Sequence, residues 1–195
     1  MNYIELLTKR FPELSDMMQD IEKTVEAICL MYCEGGKLLL CGNGGSAADC
    51  EHISGELLKG FLLRRSPDES VPEVLQRGVA AIPLPSFSSA LSAFANDVEP
   101  SLVYAQLVYA LGQPGDVWMG LSTSGNSKNV VEAAQVAKSL GIVTIGLTGE
   151  SGGKLKDICD ITLCVPATET YKVQEYHLPV YHAICAEVEA RLFGN

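Results

Sequence analysis

The sequence has 195 residues, a length that fits one domain able to bury a sizeable core. Hydrophobic residues make up 47% and charged residues 19%, which excludes a disordered chain. The formal net charge of −10 opposes binding to nucleic acid or to an anionic membrane surface. It still permits a phosphate group that is held mainly by backbone N–H groups.

The cysteine pattern and the N-terminal segment predict a cytoplasmic protein. The seven cysteines are an odd number and contain no C-x-x-C pair, which argues against a metal or redox motif and favours a reducing compartment. The segment MNYIELLTKRFPEL lacks the apolar core of a signal peptide. No apolar stretch is long enough to span a bilayer.

Hydrophobic periodicity predicts alternating helices and strands. In chain order these are helix 15–34, strand 37–41, helix 46–58, an exposed loop 63–78 with a short helical piece, strand 79–82, helices 86–95 and 101–111, strand 116–121, helix 128–140, strand 143–147, helix 154–158, strand 161–165 and a long helix 168–192. This alternation predicts an α/β fold with a five-stranded parallel sheet and helices on both faces. Ligands of such sheets bind at the carboxyl ends of the strands.

Two turns at these strand ends are candidates for binding phosphate. The turn Ser122-Thr-Ser-Gly-Asn-Ser127 offers four hydroxyl groups at a helix start, where unpaired N–H groups and the helix dipole favour an anion. Its alternative interpretation is a loop with Asn126 or Ser127 as an ordinary N-cap.

The turn Gly42-Asn-Gly-Gly-Ser46 lacks the third glycine of a dinucleotide motif and the lysine of a P-loop, and Ser46 is predicted to cap the next helix. Two such turns together favour phosphate binding more strongly than either alone.

Polar residues on two predicted helices form a second candidate group. His52 and Glu56 share one helix face at i, i+4 spacing, a pattern that also fits a surface pair. On the closing helix, Gln174 and His182 lie about 80° apart around the axis. His177 is interpreted as a core or interface residue, and Pro179 is expected to interrupt and kink the helix.

Together His52, Glu56, Gln174 and His182 fit either a zinc site or a metal-free acid/base pair of Glu56 and His182. Because amide ligation of zinc is uncommon, the residues alone favour the metal-free alternative.

These motifs resemble the SIS (sugar isomerase) family and, within it, the phosphoheptose isomerase branch. The resemblance covers nearly the whole chain, and its segments are GNGGSAAD at 42–49, His52-x-x-x-Glu56, Asn96-Asp97, the serine turn, Leu147-Thr-Gly149 and Gln174-Glu-x-His-x-x-x-x-His182. It implies a flavodoxin-like three-layer sandwich, with one SIS domain over residues 1–195. Residues 1–34 would form helices for oligomer packing, and residues 35–195 would form the α/β core and closing helix.

The resemblance also implies an activity, a site and an assembly. The activity is the conversion of sedoheptulose 7-phosphate to D-glycero-D-manno-heptose 7-phosphate through an enediol, with Glu56 and His182 carrying the protons. The assembly is a homotetramer with active sites at subunit interfaces. Some members carry zinc on residues matching His52, Glu56, Gln174 and His182, which makes Zn²⁺ a candidate cofactor. No nucleotide cofactor, direct nucleic-acid partner or membrane partner is expected. The phosphate and substrate ligands would be Asn43, Gly44, Ser46, Asn96, Asp97, Ser122, Thr123, Ser124, Ser127 and Gln174.

Several departures from the family pattern leave the sugar open. Gly60 stands where an arginine is common, Tyr171 stands where a small residue or aspartate is frequent, and the loop 63–78 is longer than usual. The alternatives are a non-catalytic phosphosugar-binding protein, such as the DnaA initiator-associating type, or a phosphosugar-sensing regulator. Retention of Glu56 and His182 favours the enzyme.

Overall fold

A computed structural model describes residues 2–194 and contains one five-stranded parallel sheet in the order β2-β1-β3-β4-β5. This is the flavodoxin-like strand order, and it confirms the predicted fold class. The strands are β1 (Leu38–Gly42), β2 (Ala81–Pro83), β3 (Val117–Ser122), β4 (Val143–Thr148) and β5 (Ile161–Cys164).

The helices of the described residues cover both faces of the sheet. They are α1 (Tyr3–Arg10), α2 (Met18–Cys33), α3 (Gly45–Leu58), α4 (Ser88–Asp97), α5 (Val103–Leu111), α6 (Lys128–Ser139), α7 (Gly153–Ile158) and α8 (Thr170–Phe193). Short 3₁₀ helices span Pro12–Met17, Leu84–Ser86 and Pro100–Leu102.

Successive residues of β1 point to opposite faces of the sheet and so divide the core in two. Leu38 and Leu40 join one apolar cluster with α1, α2, α3 and α8. Leu39 and Cys41 join the other with α5, α6 and α7. The three layers therefore follow from a fully buried, continuously apolar interior strand.

Several local predictions were wrong. Ser46 does not cap α3, because the helix already begins at Gly45 and the preceding Gly44 occupies the N-cap position. Ser127 does occupy the N-cap position of α6, but its side chain makes no capping hydrogen bond. The hydroxyl of Ser127 instead pairs with that of Ser122 across the turn.

Other corrections concern element boundaries. The loop 63–78 contains turns but no helix, and it is not wholly exposed, since Arg65 is buried. Asn96 and Asp97 belong to the last turn of α4 rather than to a linker. Pro179 lies inside α8, which continues through it as one helix. Among the described residues, no helix is both long and apolar enough to cross a membrane.

Candidate active site

The two predicted phosphate turns lie side by side. They follow β1 and β3, neighbouring strands at the centre of the sheet that pair in parallel with Gly42 opposite Leu121. Each turn leads directly into a helix, α3 or α6. The N-termini of both helices therefore meet at the carboxyl edge of the sheet, where the helix dipoles favour an anion.

Internal hydrogen bonds fix the shape of the serine turn. The hydroxyl oxygens of Ser122 and Ser127 lie 2.9 Å apart, and the Asn126 N–H donates to Ser124 Oγ at 3.2 Å. Gly125 has a φ of +65°, and a Cβ there would lie 1.9 Å from the carbonyl oxygen of Gly152. Only glycine fits this close approach, which sets the turn rigidly at the start of α6.

The glycine turn is tied to the serine turn by an amide pair. Asn43 and Asn129 each donate a side-chain N–H to the other's oxygen at 2.9 Å. Asn129 lies in the first turn of α6, so this pair fixes the distance between the two helix starts. In this structure the Asn43 side chain braces the site, and its predicted contact with substrate stays a prediction.

Two helices bring three of the predicted reactive side chains together. His52 and Glu56 on α3 lie one turn apart, with Nε2 and Oε1 separated by 3.2 Å. His182 on α8 places its Nε2 3.3 Å from the Nε2 of His52, and the two rings are nearly perpendicular. One ligand atom from each of the three lies within 4.8 Å of the others. The i, i+4 interpretation of His52 and Glu56 as a site pair agrees with this geometry.

The environment of the cluster favours a neutral His182. Burial lowers the pKa of His182, and the neighbouring His52 lowers it further, while the Glu56 carboxylate acts in the opposite direction. A neutral imidazole accepts a proton or binds a metal ion through its free nitrogen. Two imidazole nitrogens and one carboxylate oxygen are a common zinc donor set, and three protein ligands are what a catalytic zinc site uses. The residues present therefore fit zinc as well as metal-free acid/base chemistry.

Gln174 lies apart from this group within the chain. A Cβ added at Gly45 would be 2.7 Å from Gln174 Nε2, which places the amide at the start of α3 beside the glycine turn. Gly45 precedes His52 by seven residues, about 10 Å along a helix. The intrachain geometry thus brings three of the four proposed zinc ligands together and sets the fourth next to the phosphate turns.

Asn96 and Asp97 occupy a different place. They end α4, which packs on the sheet face opposite α3 and α8. The Asn96 side-chain N–H donates to Asp97 Oδ1 at 2.7 Å, and Asp97 lines a groove between α4 and α5. Within one chain they do not meet the His52 cluster, and their role as substrate ligands stays a prediction.

Residue patterns did not single out three further side chains around the cluster. The Tyr181 hydroxyl lies 3.0 Å from His52 Nδ1 and 3.2 Å from Asp49 Oδ1, and the Phe61 ring lies 5.6 Å from that of His182. The i, i+3 spacing of Asp49 and His52 was the one sequence signal that these two residues lie close enough to share a partner. The other residues come from distant segments, so only the fold could place them.

A groove of 370 Å³ runs past His182 between α1 and α8. Its walls are largely apolar, with Arg10 and Glu175 as charged members; they also include Leu6, Phe11, Phe61, Leu62, Leu178 and Pro179. The groove leaves one side of His182 accessible to a ligand.

Comparison with known proteins decides the family. A profile described as the SIS domain matches residues 2–149. The chain belongs to the SIS domain family. It is 44% identical over 175 residues to the phosphoheptose isomerase of Crocosphaera subtropica, covering 90% of this chain and 84% of that relative.

Solved structures agree with this assignment to the SIS family. A phosphoheptose isomerase from Neisseria gonorrhoeae superposes with a TM-score of 0.80 and 34% identity over 94% of both chains. One from Francisella tularensis gives a TM-score of 0.79 and 29% identity, covering 96% of this chain and 94% of that one. The resemblance to the phosphoheptose isomerase branch of the SIS family is thereby confirmed.

Proposed function

We propose that the chain is an aldose–ketose isomerase that converts sedoheptulose 7-phosphate to D-glycero-D-manno-heptose 7-phosphate. The observation that carries this proposal is the convergence of His52, Glu56 and His182 in a protein 44% identical to a phosphoheptose isomerase. A non-catalytic phosphosugar-binding protein has no need of a carboxylate and a neutral imidazole at this distance.

Glu56 and His182 supply the two groups that the isomerisation needs. One removes the proton from C1 while the other delivers a proton to the C2 carbonyl oxygen, which gives a 1,2-enediol. Return of a proton to C2 and loss of the proton on the C1 oxygen then yield the aldehyde. Because burial lowers the pKa of His182, the free imidazole is available as a proton acceptor at neutral pH.

The phosphate group is assigned to the serine turn. Ser122, Thr123, Ser124 and Ser127 stand at the start of α6, where N–H groups without intrahelical partners favour an anion. Binding energy from this remote group positions the reacting carbons. Ser46, Gly44 and Gln174 are assigned to the same end of the substrate, since they cluster at the start of α3.

Zinc is assigned to His52, Glu56 and His182, with Gln174 as the fourth ligand of the family pattern. A bound zinc ion would polarise the carbonyl oxygen of the sugar. Gln174 reaches such a site most simply from a neighbouring copy, in keeping with a homotetramer whose active sites lie between subunits.

We further assign residues 1–195 to one SIS domain, residues 1–34 to oligomer packing, and the protein to the cytoplasm.

Gly60 bears on which sugar the site accepts, since the family commonly has an arginine at this position. A Cβ at this position would lie 2.2 Å from the carbonyl oxygen of Leu63, so the family's arginine does not fit without moving the loop. Tyr171 is 60% exposed at the start of α8. Both positions concern recognition of the sugar rather than the proton transfers.

An NMR time course with sedoheptulose 7-phosphate, with and without added Zn²⁺, tests the activity. Wild type should produce new aldose resonances, and Glu56→Gln should lose turnover while still binding the phosphosugar. Glu51→Gln, the same change on the exposed face of α3, serves as the matched control and should turn over normally. Ser124→Ala should mainly weaken binding. Ligand-induced shifts without turnover in wild type would favour a binding protein or another phosphosugar.

A further inference from the structure

The Tyr181 hydroxyl links two polar groups beneath the His52 cluster. Tyr181 is 1% exposed, and its hydroxyl oxygen lies 3.2 Å from Asp49 Oδ1 and 3.0 Å from His52 Nδ1. The opposite nitrogen of the same ring, Nε2, faces Glu56 and His182. A continuous chain of contacts therefore runs from Asp49 through Tyr181 and His52 into the candidate site.

The directions of these hydrogen bonds follow from the number of hydrogens available. A phenol has one hydrogen to donate, and an ionised carboxylate only accepts. If the hydrogen went to His52 Nδ1, the oxygens of Tyr181 and Asp49 would face each other at 3.2 Å with lone pairs alone. If it goes to Asp49, the phenol oxygen accepts from a protonated Nδ1, and both contacts are hydrogen bonds.

The phenol keeps its hydrogen under ordinary conditions. Burial raises the pKa of Tyr181, and the negative charge of Asp49 raises it further. Because the hydroxyl is shielded from solvent, its hydrogen goes to one of the two neighbours rather than to bulk water. Only the donor direction toward Asp49 makes both contacts of the Tyr181 hydroxyl into hydrogen bonds.

We propose that Tyr181, held by Asp49, is a positioning residue that keeps Nδ1 of His52 protonated and so reserves Nε2 for the Glu56–His182 side. The assignment deepens the proposed function, since it rests on His52 acting as a ligand in that site. A histidine that uses one nitrogen in a site is commonly oriented by a hydrogen bond from the other nitrogen. Here the acceptor is a phenol rather than a carboxylate, and the carboxylate stands one step behind it.

The tautomer of His52 is the direct readout. With ¹⁵N-labelled histidine, long-range NMR spectra of the metal-free protein distinguish a protonated Nδ1 from a bare one, and the chain has only three histidines to assign. Wild type should show His52 protonated at Nδ1. Tyr181→Phe removes one oxygen atom and should abolish the preference. Asp49→Ala should invert it, because the freed hydroxyl hydrogen then goes to Nδ1 and the ring proton moves to Nε2.

Zinc affinity provides the second readout, measured with Zn²⁺ alone by competition with a chelator. Tyr181→Phe should bind zinc about tenfold more weakly, as is usual when a partner of a metal ligand is removed. Tyr176→Phe is the matched control: it is the same change on the same helix, and its hydroxyl donates instead to Glu13 at 2.9 Å. The control should match wild type in both measurements.

Each outcome decides the proposal. A bare Nδ1 in wild-type His52, or an unchanged tautomer and zinc affinity in Tyr181→Phe, would overturn it. Loss of the tautomer preference with weaker zinc binding would support it. If the tautomer responds as expected while wild type neither binds zinc nor isomerises the sugar, the positioning role stands and the proposed function fails.

Discussion

Replacement of Glu189 by glutamine should strongly destabilise the protein. Glu189 is 0% exposed on α8, and its carboxylate accepts four hydrogen bonds from the segment that follows α3. The donors to Oε1 are the Phe61 N–H at 2.7 Å and Arg65 Nε at 2.8 Å. The donors to Oε2 are the N–H groups of Leu62 at 2.7 Å and Leu63 at 3.0 Å.

The magnitude follows from these contacts. Burial alone would raise the pKa of Glu189, but the hydrogen bonds from the loop amides and the charge of Arg65 hold it below the ordinary value. In either orientation, a glutamine side chain turns its NH₂ group toward two N–H donors. The change also leaves the guanidinium of Arg65 without a counter-ion, and breaking a buried ion pair in this way costs about 3–5 kcal/mol.

Urea unfolding at fixed protein concentration measures this loss, since association would otherwise alter the apparent stability. Glu26→Gln, the same change at an exposed site on α2, should stay within about 0.5 kcal/mol of wild type. The double variant Arg65→Met/Glu189→Gln should recover part of the stability that Glu189→Gln loses, because it buries no unpaired charge. A loss below about 1 kcal/mol in Glu189→Gln would refute the reasoning.

Two further predictions concern stability and the phosphate turn. Burial lowers the pKa of His177 to about 4. Between pH 6.5 and 4 the unfolded chain therefore binds a proton that the native chain does not. The free energy of unfolding should fall by about 3 kcal/mol across this window as the pH is lowered, and a flatter profile in His177→Leu checks the assignment. Gly125→Ala should lower both thermal stability and affinity for inorganic phosphate, because its Cβ meets the Gly152 carbonyl. Gly141→Ala has a similar φ of +72° but open space around it, so it should cost only about 1–2 kcal/mol and leave phosphate binding intact. Equal effects of the two alanines on phosphate binding would contradict the role of the serine turn.

The sheet was predictable because its strands are short apolar runs bounded by glycines or polar residues. Leu38–Gly42 and Val117–Ser122 lie within one residue of the predicted ranges. Helix starts were less predictable: serine is a common N-cap, but the N-cap of α3 is Gly44, two residues before Ser46. The expected interruption at Pro179 was wrong, since α8 runs through it from Thr170 to Phe193.

The candidate site was predictable to the extent that its residues share a helix face. The spacing of His52 and Glu56 placed both on one helix face but also fitted a surface pair, and the fold brings the predicted His182 beside them. Helical spacing gave only the angular position of Gln174, about 80° around the helix axis from His182. It did not account for their separation of eight residues, which corresponds to about 12 Å along the helix. Tyr181 was missed because its contacts with α3 come from tertiary packing that no local pattern reveals.

The packing of the N-terminal helices against α8 has a consequence for the order of folding during synthesis. The backbone N–H of Tyr3 donates to Glu187, and Glu22 pairs with Arg191. On the ribosome, the apolar face of α2 emerges some 150 residues before the helix that completes its cover. A nascent chain halted before α8 should therefore expose Ile21, Val25 and Ile28 to ribosome-associated chaperones, and native compaction should follow only after the last helix has left the exit tunnel.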